Sequence, residues 1–215
     1  QSDKEILMSL LHVSPLARLL SAALLLTGCF NEADKTPEKS ADQRLRLAML
    51  QPPRSGLTPL SDDAFKLSRW STAETLVVLD KMGEAQPALA TNWQQTGDNR
   101  WRFELRPEVK FHDGSALNAA TVVNALTVAA SAAPKPRILD GVQLTAEADG
   151  QMAVIVTTAQ PDPLLPQRLS SPQLAILSQK AYSAEGTVNP LHTGSGPFEL
   201  VQVNGTSSAR LERFA

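Results

Sequence analysis

Apolar and polar residues alternate without interruption over residues 100–106. The segment reads Arg-Trp-Arg-Phe-Glu-Leu-Arg, so the apolar side chains fall on one side of an extended backbone and the charged ones on the other. A period of two is typical of a β-strand with one buried and one solvated face. Val109 and Phe111 resume the alternation beyond Pro107, and Asp113-Gly114 supplies a turn. We therefore predict a half-buried strand that ends in a turn at Asp113.

A helical period follows this strand. Val122, Leu126 and Ala129 recur at the spacing of one helix face behind Asn118, which is a favoured N-cap residue. Pro134 lies where the pattern stops and cannot continue a helix. The sequence therefore predicts an amphipathic helix that begins after Asn118 and ends before Pro134.

A shorter helix is predicted after residues 61–63. Phe65, Leu67 and Trp70 supply its apolar residues. Asp62 and Asp63 are adjacent carboxylates at its start, where an acidic side chain can cap the helix and complement its dipole. We interpret this pair as capping residues rather than as a catalytic pair.

Further patterns complete a mixture of helices and strands. Strands are predicted at 44–49, 76–79, 142–147, 151–158, 200–203 and 209–214, with turns at 80–83, 148–150 and 204–205, and a short helix opens at 161–163. Strands and helices that mix along one chain predict an α/β fold.

The composition and the net charge exclude several classes of function. With 42% hydrophobic and 20% charged residues among 215, the chain has the balance of an ordinary globular protein. A net charge of −2 gives no electrostatic case for nucleic acid as a partner. The single cysteine, Cys29, excludes an internal disulfide and a cysteine-based metal cage.

The amino terminus resembles a bacterial lipoprotein leader. Residues 19–26 form an apolar run behind Arg18, too short to span a bilayer, and Leu-Thr-Gly-Cys at 26–29 resembles a lipobox. This pattern predicts a signal peptide at 1–28, a lipid anchor on Cys29 and a flexible polar tether over 29–43. Met8 is an alternative start of the chain. A buried helix with an incidental cysteine is the competing interpretation.

The segment from Pro87 to Gly114 carries a family resemblance. Pro-Ala-Leu-Ala, Trp93, Trp-Arg-Phe-Glu-Leu-Arg and Val-Lys-Phe-His-Asp-Gly occur in the order typical of the family 5 extracellular solute-binding proteins, which serve ABC importers of peptides and of nickel or nickel chelates. The resemblance implies an α/β fold of the periplasmic-binding-protein type II class with an extra domain. It also implies that this segment is scaffold and touches no ligand.

The resemblance implies a domain order. Residues 44–70 would begin lobe I, 71–190 would form the extra domain and 191–215 would return into lobe I. Family members continue into a second lobe beyond the position of Ala215, so we expect the first lobe and the extra domain here. Three positions depart from the family pattern: Thr58 replaces Asp, Ala73 replaces Tyr and Ser195 replaces Thr.

Position in the family pattern also implies the ligand contacts. They come from the helix around Lys66, Arg69 and Trp70, from the segment of Ser171 and Gln173, and from the glycine loop at Ser195. Trp70 has core packing as an equal alternative.

The sequence contains little evidence for metal binding, phosphate binding or catalysis. His192 precedes the loop Gly194-Ser195-Gly196 and is a weak candidate for a chelated metal, while no metal site or cofactor is predicted. The loop lacks the lysine and helix start of a phosphate site, so we interpret its glycines as allowing a tight turn. No nucleophile motif is present, and no enzyme activity is expected.

The sequence thus predicts a monomeric, lipid-anchored protein of the periplasm or cell envelope. It would capture small peptides in a two-lobe cleft and deliver them to ABC permease subunits in the inner membrane. Two alternatives remain: a nickel, nickel-chelate or opine-like solute, and a truncated remnant without ligand function. An envelope enzyme with an undetected site is a third class.

Overall fold

The computed structural model describes residues 47–214. The predicted signal peptide, Cys29 and the tether 29–43 lie outside these residues. The strand predicted at 44–49 is wrong where it can be compared, because residues 47–49 are exposed and outside any strand. No helix among residues 47–214 is both long and apolar enough to cross a membrane.

A four-stranded antiparallel sheet forms the largest part of the fold. It contains β3 (Ala90–Gly97), β4 (Arg100–Leu105), β5 (Leu144–Ala148) and β6 (Ala153–Thr158), in the spatial order β3-β4-β6-β5. Phe103 of β4 pairs with Val154 of β6, and both are fully buried. The alternation predicted at 100–106 is confirmed, because β4 buries Phe103 and Leu105 and exposes Arg100 and Glu104.

Helix α2 (Ala119–Ser131) packs on this sheet against β5 and β6. Its buried face includes Val122, Leu126 and Ala129, as the helical period predicted. Asn118 is the N-cap: its side chain accepts a hydrogen bond from the N–H of Thr121 at 3.0 Å, and the Thr121 hydroxyl accepts one from the N–H of Asn118 at 3.2 Å. This reciprocal capping box satisfies backbone donors that the helix itself cannot satisfy.

Two antiparallel hairpins accompany the sheet. The first joins β1 (Val77–Leu79) to β2 (Ala85–Pro87), and the second joins β7 (Phe198–Asn204) to β8 (Ser208–Arg213). Leu200 of β7 is fully buried and forms a small separate core with Leu57 and Leu67. Within residues 47–214, the remaining helical elements are α1 (Ala64–Arg69), α3 (Leu165–Arg168) and three short 3₁₀ turns at Arg137–Leu139, Pro172–Leu174 and Gln179–Ala181.

The capping role predicted for the two aspartates is wrong. Asp63 occupies the N-cap position of α1 but makes no capping hydrogen bond. Its carboxylate instead accepts from the backbone N–H groups of the preceding loop, including Ser55 at 2.7 Å, and from Lys66 Nζ at 2.9 Å. Asp62 forms an ion pair with Arg137. Asp63 has helical backbone angles (φ −65°, ψ −17°) rather than the extended ones of a capping residue, and the buried carboxylate is satisfied by donors of the loop and of Lys66 instead.

Candidate ligand groove

A groove of about 690 Å³ lies beside α1. It is lined by residues of four segments of the fold, namely α1, residues 71–75, β1 and residues 167–175, with Ala88, Ile138 and Pro197 at its margins. This volume lies within the range of roughly 300–1,000 Å³ that is usual for small-molecule sites.

The walls of the groove are mostly apolar. Phe65 remains 49% exposed, and Val78 and Leu79 are each 46% exposed, so their side chains face open space rather than the core. Hydroxyl groups interrupt this surface at Ser68, Thr75, Ser170 and Ser171. An apolar concavity with a few polar groups is the usual composition of a binding site for a small organic molecule.

Glu74 stands on the wall where three distant segments meet. Ser195 Oγ donates to its Oε2 at 2.8 Å, and Arg106 Nη2 lies 3.1 Å from Oε1 and 3.3 Å from Oε2. Its backbone carbonyl accepts from the N–H of Ile176 at 2.9 Å. The carboxylate thereby joins the glycine loop to the end of β4.

The glycine loop packs directly on the backbone of residues 71–72. A Cβ on Gly194 would lie 1.9 Å from the carbonyl oxygen of Thr72, and one on Gly196 would lie 2.1 Å from that of Ser71. Neither glycine has a positive φ. The interpretation that these glycines permit a tight turn is therefore wrong, because what requires them is the close approach of two backbone segments.

His112 holds the other side of the loop. The backbone N–H of His112 donates to the carbonyl of Gly194 at 2.8 Å, and the ring Nε2 lies 2.8 Å from the carbonyl oxygen of Gly196. A carbonyl can only accept, so this contact requires the Nε2–H tautomer. The ring also packs against Phe214, with ring centroids 4.7 Å apart.

The predicted site residues are distributed unevenly about the groove. Ser171 lines the groove. Ser195 does not line it but donates a hydrogen bond to Glu74, which does. Gln173 is buried, where its Oε1 accepts from the N–H of Ile138 at 3.2 Å. Two of the segments that the sequence indicated, α1 and the segment of Ser171, thus line the groove, mainly through other residues, whereas the region of the glycine loop contributes only Pro197.

The three predicted residues of α1 lie outside the lining of the groove. Lys66 pairs with Asp63 at 2.9 Å, Arg69 is exposed, and Trp70 is half-buried against the small core of Leu57 and Leu200. The face of α1 that lines the groove instead carries Phe65 and other small or apolar residues.

Asp63 is the most strongly engaged carboxylate near α1. Burial, the largest single influence, acts to raise its pKa. The hydrogen bonds from Lys66 and from the N–H groups of Ser55 and Arg54 together outweigh burial, so the pKa of Asp63 lies below its ordinary value of 3.8. Asp63 therefore stays ionised and fixes the loop that precedes α1.

The imidazole of His192 contacts a carboxylate. Its Nδ1 contacts Glu199 Oε1, and its side chain is 53% exposed. Within residues 47–214, no cluster of three or more metal-binding side chains occurs.

One feature of the sequence indicates Glu74. Glu74 matches the Glu of the family's Tyr-Glu-x-Leu pattern. Its partners Arg106 and Ser195 lie 32 and 121 residues away, so their meeting required the fold.

Comparison with known proteins identifies the relatives of this fold. The family described as "Bacterial extracellular solute-binding proteins, family 5 Middle" matches residues 84–215. NikA from Brucella suis, solved in complex with Fe(III)-EDTA, is 25% identical with a TM-score of 0.65, over 76% of this chain and 34% of that one. An ABC transporter substrate-binding protein from Sinorhizobium meliloti is 27% identical with a TM-score of 0.66, over 79% and 35%.

One relative is named as a transcriptional regulator rather than as a solute-binding protein. The HTH-type transcriptional regulator SgrR of Photorhabdus laumondii is 25% identical over 167 residues, which cover 73% of this chain and 27% of the relative. The chain thus spans about a third of the length of the solved structures and about a quarter of this regulator. Over the matched part, the likeness to solved structures confirms the predicted α/β fold of the periplasmic-binding-protein type II class.

Proposed function

The chain belongs to the bacterial extracellular solute-binding proteins of family 5, and from this premise we propose that it supplies one lobe of a cleft that captures small peptides for an ABC importer. The groove beside α1 is the observation that carries the proposal. It is concave, largely apolar and lined by two of the three segments that the family pattern assigns to ligand contacts, α1 and the segment of Ser171. A second lobe that closes over such a surface would bury most of a small ligand.

The proposal extends to the organisation of the whole protein. Residues 71–190 would be the extra domain, and residues 44–70 and 191–215 would belong to lobe I. Cys29 would carry the lipid anchor at the periplasmic or cell-envelope surface, and the monomeric protein would deliver its solute to permease subunits in the membrane. The protein would bind its solute without transforming it.

A nickel chelate is the alternative solute. The observation that favours it is the 25% identity to NikA of Brucella suis, which was solved with Fe(III)-EDTA. In that case the ligand would be a metal complex that the groove recognises through its organic part, and His192 is a weak candidate for contact with the metal.

Ligand sensing is a second candidate function. The likeness to the SgrR regulator covers 73% of this chain, so the same module occurs in a protein named for transcriptional control. The two functions differ in what the module is attached to, and mass spectrometry of Cys29 distinguishes them. Acylation of Cys29 supports the importer, whereas an unmodified Cys29 in a cytoplasmic protein supports the regulator.

Isothermal titration calorimetry on the full chain tests the binding function. Tripeptides and a nickel–histidine complex are titrated into the wild type and into the variants Ser68→Trp and Ala120→Trp. Ser68 is an exposed residue of α1 that lines the groove, and Ala120 is an exposed residue of α2 that does not. We expect tripeptide binding that Ser68→Trp weakens at least about tenfold, because the indole fills the groove. We expect Ala120→Trp to have no effect.

Two results would count against the proposal. Absence of heat with every tripeptide and with the nickel complex would reject solute binding by this lobe. Binding that Ser68→Trp leaves unchanged would place the site elsewhere.

A further inference from the structure

The groove carries almost no net charge. Among the described residues that line it, Glu74 is the one with a formal charge. Its carboxylate is paired with Arg106 and also accepts from Ser195. Arg106 does not line the groove, and it is held in place because its Nη1 donates to the carbonyl of Ala88 at 3.0 Å and its backbone N–H donates to that of Leu89 at 2.8 Å.

The geometry makes Arg106 the counter-charge of the groove. Its Nη2 lies between the two oxygens of Glu74, at 3.1 and 3.3 Å, and the Glu74 side chain is 25% exposed. A cationic ligand group that approached Glu74 would meet the positive charge of Arg106 behind it. An anionic group would be repelled by Glu74 itself. Both kinds of charge would lose water on entering the groove without gaining an unpaired partner of opposite sign.

We propose that the groove selects an uncharged, apolar group of a small solute, and that Arg106 enforces this selection by neutralising Glu74. The choice of solute class rests on the proposed solute-binding function and sharpens it. Within a peptide, the group is an aliphatic or aromatic side chain. Arg106 acts through Glu74 and is therefore a positioning and specificity residue rather than a contact residue.

The walls supply the attraction for such a group. Phe65, Val78 and Leu79 present half-exposed apolar side chains to the groove, and their surface leaves water when an apolar group lies on it. The groove volume of about 690 Å³ accommodates one or two large side chains with their backbone. The charge of the groove and its apolar walls thus both favour an uncharged apolar group.

A neutral dye tests the groove independently of any peptide. Binding of N-phenyl-1-naphthylamine to the full chain is followed by its fluorescence. Val78→Asp places a carboxylate on the groove wall, and Met82→Asp is the matched control because Met82 is 84% exposed in the same hairpin and does not line the groove. We expect the wild type and Met82→Asp to bind the dye equally and Val78→Asp to bind it at least about tenfold more weakly. Equal binding by Val78→Asp and the wild type would overturn the proposal.

Tripeptides test the role of Arg106. Ala-Leu-Ala, Ala-Lys-Ala and Ala-Glu-Ala share their end charges and differ only in the central side chain. The wild type is expected to prefer the leucine peptide at least about tenfold over both others. Arg106→Gln leaves Glu74 unpaired and should shift the preference toward the lysine peptide by about tenfold, a change that a purely structural role would not produce.

Arg100→Gln is the control for this substitution. Arg100 lies on β4, the strand that ends immediately before Arg106. It is 45% exposed and pairs with Glu147, and it does not line the groove. It should leave the peptide preference unchanged. Equal affinity for all three peptides, or an unchanged preference in Arg106→Gln, would refute the selection. If the dye binds as expected and no tripeptide binds, the selectivity of the groove stands and the peptide function fails.

Discussion

Gly196→Ala should destabilise the fold strongly. A Cβ at this position would lie 2.1 Å from the carbonyl oxygen and 2.7 Å from the carbonyl carbon of Ser71. Contacts under 3.0 Å do not occur for real Cβ atoms, and the obstructing atoms are backbone rather than a flexible side chain. The glycine loop must therefore move away from residues 71–72.

The cost follows from the contacts that this movement breaks. The N–H of Gly196 donates to the carbonyl of Thr72 at 3.1 Å, and the N–H of Phe198 donates to that of Ser71 at 3.3 Å. Each such bond has a net value of about 1 kcal/mol. Forcing a methyl group into a filled space costs about 1–3 kcal/mol. Together we expect a loss of about 3–5 kcal/mol, a large fraction of the roughly 5–15 kcal/mol that stabilises a typical domain.

Gly97→Ala is the matched control, and urea unfolding followed by circular dichroism is the assay. Gly97 also has no positive φ, and its added Cβ would meet only the Cβ of Arg100 at 3.4 Å, an ordinary contact. Because alanine restricts the unfolded chain, this variant should change stability by less than about 1 kcal/mol, in the favourable direction. If Gly196→Ala lowered the free energy of unfolding by less than about 1 kcal/mol, the argument from close backbone approach would be refuted.

Two further predictions concern single side chains. Asp63→Asn should cost about 3 kcal/mol at pH 7, because an amide replaces a buried carboxylate that accepts from Lys66 and the loop N–H groups. Because the pKa of Asp63 is lowered in the folded state, the stabilisation by its charge is present above pH 3.8 and is lost as the pH falls through the lower folded value. In urea unfolding, the difference in free energy of unfolding between wild type and Asp63→Asn should therefore be smaller at pH 3 than at pH 7. A difference that stays constant between the two pH values would contradict this. Asn118→Ala removes the acceptor of the Thr121 N–H and should lower stability by about 1 kcal/mol in thermal unfolding. An unchanged melting temperature would show that the cap contributes nothing.

The sequence predicted those elements whose two faces differ in environment. β4 and α2 each bury one face and expose the other, so the periods of their apolar residues follow the structure directly. The strand β3 at Ala90–Gly97 escaped prediction for the opposite reason. It lies at the edge of the sheet and most of its side chains are exposed, so both faces carry polar residues and no period appears. Trp93, which stacks on Phe103, is its main apolar contact.

The candidate groove was predictable by segment and not by residue. Family position indicated α1, the Ser171 segment and the glycine loop; the first two line the groove, and Pro197 lines it beside the loop. Which face of α1 lines the groove depends on the packing of Leu67 into the core with Leu57 and Leu200, residues 10 and 133 positions away from it in the sequence. No local sequence pattern reveals such a contact, so family position indicates Lys66, Arg69 and Trp70, whereas Phe65 and Ser68 line the wall.

The segment from Pro87 to Gly114 has a role in the proposed selection in addition to the scaffold role that the family resemblance implied. The resemblance implied a scaffold that touches no ligand. Its strand β4 is scaffold, but Arg106 at the end of that strand holds Glu74, and His112 in the following turn holds Gly194 and Gly196. Of these residues held by the segment, Glu74 lines the groove. A substitution at Arg106 therefore alters the charge of the groove without changing its lining, because the carboxylate that Arg106 neutralises lines the groove. Scaffold and specificity are coupled here through one ion pair.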